Sequence, residues 1–512
     1  MKQVMPFVRS RPGGALLLVL CFSILTIWGA KPDAMPLVFV SGLAFWAFAA
    51  LCWRSPYSRA ISLVAVLLWA VNVITTVLCK IEYNGMPSTY MAESVLATNP
   101  DEAAGMISDH LEYLFLFLFI LGAGIMTVRL ISKSFSLGIL RAGSVFFAFF
   151  ILCLIILYGV RHRGDALQMA IRTTTKTPFY HGASFLASHA KSNKHAAGGG
   201  IEIERKVETR ETGIETYILI IGESARRKNM GLYGAGRDTT PHENAEKTRM
   251  LLFTQAIAPA GSTIASVPKT LRPVDANGNL SNNYKDNIIT LANRAGFQTF
   301  WLSNQEDYNP NYAVITEIMQ QAGKVFWKHE KYDGSLLGQL GAIVETGGKK
   351  LIVLHFRGSH EPPGDSFPRE YEKFSGGDAR EDDYDNSIYY TDAVIGEIFQ
   401  MLRDRKASVL YYSDHALIRK KKLWYWKYRH AGGVKEAYEI PMWIWYAPVA
   451  GKTPRLGVVD APYSTSENYY LLKDWLGVEV EGEPALSVLH DGWKPSEIYV
   501  DGQILFSSLR RE

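Results

Sequence analysis

Three side chains able to hold a cation stand where apolar runs stop. Glu223 closes the run Tyr217–Gly222. Asp414 and His415 close the run Ser408–Tyr412, with Ser413 between. A carboxylate at a strand tip can bind a hard or borderline cation, and an Asp-His pair adds one oxygen and one nitrogen donor. The three together form the mixed oxygen and nitrogen set that zinc accepts. Each residue also has an ordinary reading: Glu223 as a cap or ion-pair partner, Asp414 as a turn residue beside a surface histidine. The stretch Gly261–Pro268 (GSTIASVP) offers hydroxyls in a small-residue turn that could open a helix. A helix N-terminus presents N–H groups to an anion. A hydroxyl bound there to a metal can ionise and attack phosphorus; the plainer reading is capping by Ser or Thr. His360 (HFRGSHEPP) and His430 (KYRHAGG) sit in Gly-rich loops. Each could touch a phosphate, give a proton or bind a second metal, and each could equally be a surface histidine.

Such residues need a scaffold that brings strand ends together. Tyr217–Gly222, Leu351–His355 and Ser408–Tyr412, with Thr299–Ser303 (TFWLS) as a fourth, are short continuous apolar runs. Strands of this kind need cover on both faces, which predicts a parallel sheet. Helical stretches at Asn287–Ala295, Ala313–Gly323 and Asp385–Leu402 intervene. The alternation predicts an α/β domain with a central, mostly parallel sheet, whose chemistry gathers at the carboxyl ends of the strands.

The first 160 residues are of another kind. Five apolar runs, Gly14–Ala30, Met35–Trp53, Ala60–Leu78, Leu111–Thr127 and Ala142–Val160, each come near the ~20 residues a helix needs to cross ~30 Å of hydrocarbon. Basic residues collect before the first run, between the second and third, and between the fourth and fifth. This bias predicts a cytoplasmic N-terminus and five crossings that leave the rest outside; Arg161 and Arg163 run against it. The expected organisation is a five-helix membrane domain over 1–160 with an outer-loop helix near 91–109, a membrane-surface bridge and linker over 161–215, and a catalytic domain over 216–512. Within the linker, Ala196–Gly200 (AAGGG) and the charged stretch Glu202–Glu215 read as a flexible connector. With 48% hydrophobic residues the chain is too apolar for disorder, and a net charge of +4 over 512 residues gives no sign of nucleic-acid binding. Cys21, Cys52, Cys79 and Cys153 all lie in or beside the apolar runs, so the exported domain has no disulfides.

The soluble part resembles the alkaline-phosphatase/sulfatase superfamily, and within it the membrane phosphoethanolamine transferases. The matching pieces are IGESARRKNMGLYG then RDTTP (221–241), APAGSTIASVP (258–268), NRAGFQTFWLSNQ (293–305), LIVLHFRGSH (351–360), YDNSIYYTD (384–392), YYSDH (411–415), and His430 shortly before IPMWIWYAP (440–448). The five-span anchor fits too, and Thr98–Ala103 resembles the family's donor-lipid helix. The resemblance implies an α/β sulfatase-like domain that transfers phosphoethanolamine from phosphatidylethanolamine to an envelope glycan or lipid. That acceptor would be a periplasmic glucan, the lipopolysaccharide core or lipid A. Carried over by position, Thr263 is the nucleophile, and Glu223, Asp414 and His415 bind zinc with the Thr263 oxygen. His360 and His430 contact the phosphate and assist the leaving group, with a second zinc during turnover left open. Thr98 and Glu102 address the donor headgroup, and Asn304 binds substrate. The resemblance further implies a multi-pass protein of the bacterial inner membrane with its catalytic domain in the periplasm.

Three departures bear on the acceptor. Lipid A-modifying members flank the nucleophile with a disulfide, and these positions are Cys-free here. After Ser-Asp-His the family has Gly-Glu-Ser, where this chain has Ala416-Leu417-Ile418; at the donor-binding Asn it has Ser94. The Cys-poor domain points toward periplasmic glucan or core heptose. The alternatives are a phosphoglycerol transferase, a sulfatase and a membrane-tethered envelope binding protein. For the sulfatase, Ser266-Val267-Pro268 begins the formylglycine context, but Thr270 stands where Arg is required. The stretch Arg419–Arg429 (RKKKLWYWKYR) reads equally as an acceptor platform or as an interfacial belt on anionic lipid.

Overall fold

The computed structural model describes residues 11–27, 35–82, 111–161, 179, 206–273, 283–305, 313–328, 330–421, 426–429, 432–450, 455–483, 486–502 and 504–511. The chain divides into two compact units, Met1–Ser192 and Asn193–Glu512.

In the first unit the apolar runs form helices: α1 (Arg11–Ile27), α2 (Met35–Trp53), α3 (Arg59–Glu82), α4 (Leu111–Ser134) and α5 (Leu137–Arg161). Helices apolar all round must be covered by lipid or by one another. Three stretches, α2, Arg59–Ile81 of α3, and α4, are long and apolar enough to cross a membrane; Pro12–Ile27 and Leu137–Cys153 are shorter apolar helices. So among the described residues three of the five expected spans meet that requirement by themselves. The helices pack through rings: Trp69 lies 4.9 Å from Trp46 and 5.0 Å from Phe22, and its indole N–H donates to Thr26 Oγ1 at 3.0 Å. Arg54, at the end of α2, donates to the carbonyl of Ser132 in the last turn of α4 at 2.8 Å. Carbonyls there lack helical partners and favour a cation.

The second unit is built on an eight-stranded sheet. Its strands are β1 (Thr216–Gly222), β2 (Met250–Phe253), β3 (Gln298–Ser303), β4 (Lys324–Trp327), β5 (Lys350–His355), β6 (Ala407–Ser413), β7 (Met442–Tyr446) and β8 (Gly457–Val459). Their spatial order is β8-β2-β7-β6-β1-β5-β3-β4. Neighbours run parallel except at β7, which is antiparallel to both β2 and β6. The central strands β1, β5, β6 and β7 are buried on both faces, as continuous apolar strands require. Tyr217, Leu219 and Ile221 enter one core, while Ile218 and Ile220 enter the other.

The register places the chemistry. Ile221 stands opposite Tyr412 of β6 and His355 of β5, and Gly222 pairs with Ser413. Parallel strands that end level carry the residues just beyond them to one spot, so Glu223 and Asp414 emerge side by side. Gly358, after β5, closes onto the same spot. Its φ is +52°, and a Cβ there would lie 2.7 Å from the Glu223 carbonyl oxygen and 2.9 Å from its nitrogen.

Local boundaries depart modestly from the sequence reading. The expected helix at Asn287–Ala295 spans Ile288–Arg294, with Asn287 as its cap: the Oδ1 accepts the N–H of Ile289 and of Thr290. The expected helix Asp385–Leu402 begins earlier, as α7 (Ala379–Leu402), capped by Asp378. Within the expected connector, Val207–Thr209 forms a strand antiparallel to Val478–Val480. That partner lies far along the chain, which local composition does not reveal.

One buried acidic pair braces the antiparallel strand. Glu243 is fully buried and accepts from the Trp443 indole of β7 at 3.2 Å. Asp392 of α7 accepts the N–H of Glu243 at 2.8 Å and of His242 at 2.9 Å. Burial, then the charge of Asp392, holds the Glu243 carboxyl well above its ordinary range. Burial likewise pushes Asp392 up to about 7, against those two N–H groups.

Two outcomes follow. Between about pH 4 and pH 7 the folded pair keeps a proton that the unfolded chain releases, so its contribution is complete below about pH 4 and is lost as pH rises through about 7. Stability should fall from about pH 4 to 7, by up to about 1.4 kcal/mol per pH unit for one proton, and level off above that. In Glu243→Gln that slope should flatten; identical urea midpoints across this range in both proteins would refute the coupling. Gly358→Ala should cost about 2–4 kcal/mol, because backbone rather than a movable side chain blocks the new methyl and its φ is left-handed. A Gly358→Ala protein with an unchanged midpoint would show that the loop can lift off Glu223.

Candidate active site

Glu223, Asp414 and His415 are buried, and one ligand atom from each lies within 4.8 Å of the others. His415 Nε2 is 3.2 Å from Glu223 Oε1 and 3.5 Å from Asp414 Oδ2. Thr263 completes the group. Its hydroxyl donates to Glu223 Oε2 at 2.9 Å and lies 3.4 Å from His415 Nε2. It is the first residue of α6 (Thr263–Leu271), and Ser262 before it makes no side-chain cap bond. The turn therefore does more than cap: it points the threonine oxygen at the acidic cluster.

A ring of hydrogen bonds fixes the carboxylates. Ser224 Oγ donates to Glu223 Oε1 at 2.5 Å, from a residue held at φ +61°. Gln305 Nε2 reaches Glu223 Oε2 at 3.3 Å and the Phe356 carbonyl at 2.7 Å. Asp414 Oδ1 accepts the N–H of His415 at 2.7 Å and of Ser224 at 3.2 Å. Tyr384 of α7 donates to the Ser224 carbonyl at 2.6 Å and accepts the Arg226 N–H at 2.8 Å. Its ring stacks on Tyr428 at 4.0 Å. Tyr428 belongs to the hairpin Ile418–Lys421/Trp426–Arg429, so the basic-aromatic stretch is tied to the loop after β1.

The donor set fits a metal ion. Asp414 Oδ2 is buried and has no hydrogen-bond partner among the described residues. On the protein's own charges, burial and then the Glu223 charge push Asp414 up to about 7. Burial alone would lower His415, but the charges of Asp414 and Glu223 outweigh it and raise the imidazole to about 9. Both shifts report uncompensated negative charge, which a bound cation would neutralise. Two carboxylates, an imidazole and a hydroxyl are ligands zinc accepts.

The other expected site residues divide. His360 is half-buried, with Nδ1 2.9 Å from the Glu361 carbonyl, and its neighbour Ser359 donates to the Glu223 carbonyl at 3.0 Å. Thr98, Glu102 and His430 lie outside the described residues. Asn304, expected to bind substrate, is brought elsewhere. Its Nδ2 donates to Asp333 Oδ1 at 3.1 Å and its Oδ1 accepts the Glu330 N–H at 3.1 Å. Asp333 in turn accepts the N–H of Arg357 and Gly358, each at 2.8 Å. Asn304 thus supports the loop that carries His360, and the next residue, Gln305, takes the place at the cluster. Gln305, Ser224 and Tyr384 were not singled out from sequence. All three lie in the matched segments, but nothing in their types marks them as neighbours of Glu223.

The chain is similar to known proteins. Residues 215–478 match the sulfatase family, and residues 1–195 match the transferase YhbX N-terminal domain. The putative transferase YhbX of Escherichia coli K12 is 37% identical over 409 residues, covering 77% of this chain and 74% of that protein. Phosphoethanolamine transferase OpgE of the same organism is 30% identical over 282 residues, 52% of this chain and 51% of its own. Among solved structures, the integral membrane lipooligosaccharide phosphoethanolamine transferase A of Neisseria meningitidis has a TM-score of 0.61 at 18% identity, covering 97% of this chain and 99% of that one. The C-terminal periplasmic domain of EptC from Escherichia coli, in complex with Zn, has a TM-score of 0.54 at 21% identity, over 60% and 98%. At these identities the two structures share the fold. The chain belongs to the sulfatase family, in the branch that holds YhbX and the membrane phosphoethanolamine transferases.

Proposed function

We propose that this chain transfers phosphoethanolamine from phosphatidylethanolamine to an envelope glycan or lipid, through a covalent phospho-threonine at Thr263. The observation that carries this reading is the Thr263 hydroxyl, held at the head of α6 among Glu223, Asp414 and His415. Relatives named as phosphoethanolamine transferases support the transferred group. Ser266, the alternative in a sulfatase reading, instead donates to the Asp414 carbonyl at 2.6 Å, which supports the threonine.

In the first displacement Thr263 Oγ attacks the donor phosphorus. The bond to the glycerol oxygen breaks, and diacylglycerol leaves after taking a proton. Glu223 Oε2, already accepting the hydroxyl hydrogen, orients the oxygen and draws its proton away. His360 and His430 are placed by this reading to hold the phosphate and protonate the leaving oxygen. In the second displacement an acceptor hydroxyl attacks the same phosphorus, and Thr263 is regenerated. Two displacements let one site use two unlike alcohols in turn. Zinc, held by Glu223, Asp414, His415 and Thr263, would supply positive charge to the ionised hydroxyl and the phosphoryl oxygens. His360 and His430 would serve any second ion taken up in turnover.

The same reading sets the surroundings. Thr98 and Glu102 meet the donor headgroup, the carboxylate facing its ammonium. Five helices anchor residues 1–160 in the bacterial inner membrane, residues 161–215 bridge, and residues 216–512 act in the periplasm. Tethering holds an insoluble donor near the site. The thiol-free nucleophile turn favours periplasmic glucan or core heptose as acceptor.

The full-length protein in vesicles with headgroup-labelled phosphatidylethanolamine tests this. Label should appear on Thr263 and pass to the acceptor; in Thr263→Ala both should vanish while the unfolding midpoint stays near wild type. Transfer retained by that variant would overturn the assignment. His360→Ala should slow turnover on the order of 10²-fold or more, the scale of acid-base assistance, with zinc content unchanged. Loss of most zinc would instead make His360 a ligand.

A further inference from the structure

Residues beyond 478 lie outside the sulfatase-family match, yet part of them touches the nucleophile turn. Tyr499–Val500 and Ile504–Leu505 form a small antiparallel hairpin. Its turn begins at Asp501, at φ +47°, followed by Gly502 at φ +95°. The Asp501 N–H donates to the Pro259 carbonyl at 3.1 Å, and its Oδ1 accepts the Gly261 N–H at 3.2 Å. One residue therefore grips two points of the turn leading to Thr263. Its Oδ2 accepts the Tyr438 hydroxyl at 2.5 Å, and that hydroxyl accepts the Gly433 N–H at 3.2 Å. Gly432 lies close by: a Cβ there would stand 2.9 Å from Asp501 Oδ2 and 3.0 Å from the Tyr438 hydroxyl. The chain after the hairpin stays on the same surface. Lys435 N–H donates to the Arg510 carbonyl at 2.9 Å, and Arg511 pairs with Glu436 at 3.1 Å and Glu439 at 2.9 Å.

We propose that Asp501 is a positioning residue, which through one carboxylate holds the turn before Thr263 and the Gly432-Gly433 turn after His430 in fixed relation. The proposal rests on the reading of Thr263 as nucleophile. Gly261 and Ser262 have little side chain of their own to fix the turn, so the direction of the Thr263 oxygen depends on what grips their backbone. A misplacement near 1 Å at a reacting atom can cost about 10²-fold in rate. The competing role is plain turn formation, since Asp tolerates a left-handed φ.

Asp501→Gly separates the two, because glycine keeps the turn and loses the carboxylate. Full-length wild type, Asp501→Gly, Asp501→Asn and Tyr438→Phe are compared in vesicles with headgroup-labelled donor. Single-turnover labelling of Thr263, steady-state kcat and KM, zinc content and urea midpoint are read. Asp501→Gly should label Thr263 about tenfold to a hundredfold more slowly, with KM, zinc content and midpoint near wild type. Asp501→Asn keeps the acceptor for Gly261 and should recover most of the rate, whereas Tyr438→Phe should show a smaller kcat loss. Wild-type labelling by Asp501→Gly would reduce Asp501 to a turn residue and overturn the proposal alone. A fall in zinc content or midpoint matching the rate loss would also overturn it, as a purely structural effect. If wild type itself never carries label on Thr263, the functional reading and the positioning role fall together.

Discussion

The parallel pairing of β1 with β6 governs the site. Because Gly222 and Ser413 are partners, both strands end at the same height, and the next residue of each is a carboxylate. Two buried carboxylates brought together repel, and a fold tolerates this only when donors surround them. Here Ser224, Gln305, Thr263 and His415 reach Glu223, while two backbone N–H groups reach Asp414. Those bonds fix the oxygens in direction. The charge that remains is what a cation would answer, so the same repulsion that strains the strand ends prepares them for a metal.

A second layer keeps that arrangement from relaxing. Ser224 holds a left-handed backbone angle, which a non-glycine residue adopts only when its surroundings demand it. The demand comes from both sides: its N–H serves Asp414, its hydroxyl serves Glu223, and its carbonyl takes the Tyr384 hydroxyl. Asn304 and Asp333 do similar service for the loop before His360. Supporting partners of this kind orient the groups that do chemistry.

Much of this was legible in the sequence where the physics is local. Continuous apolar runs ending in Glu223 and in Asp414-His415 announced strand tips, and the small-residue turn at Thr263 announced a helix start. What stayed hidden depends on distant partners. β7 has the same apolar character as the parallel strands of the sheet, so its reversal carries no local signature. The pairing of Val207–Thr209 joins segments whose relation exists only in the folded unit. Asn304 and Gln305 are adjacent polar residues of similar chemistry, and side chains alternate in direction near a strand end. Choosing between them required knowing which one faced Glu223. The span count rested on hydropathy windows, and among the described residues three of the five runs meet the length and apolarity of a crossing.

All four cysteines reside in α1, α2, α3 and α5. The unit Asn193–Glu512 thus contains no sulfhydryl. Its assembly needs neither a disulfide oxidase nor a disulfide isomerase, and glutathione has no cross-link in it to cut or scramble. Its rigidity is that of close-packed side chains on a doubly covered sheet, which a change in the surrounding redox poise leaves untouched.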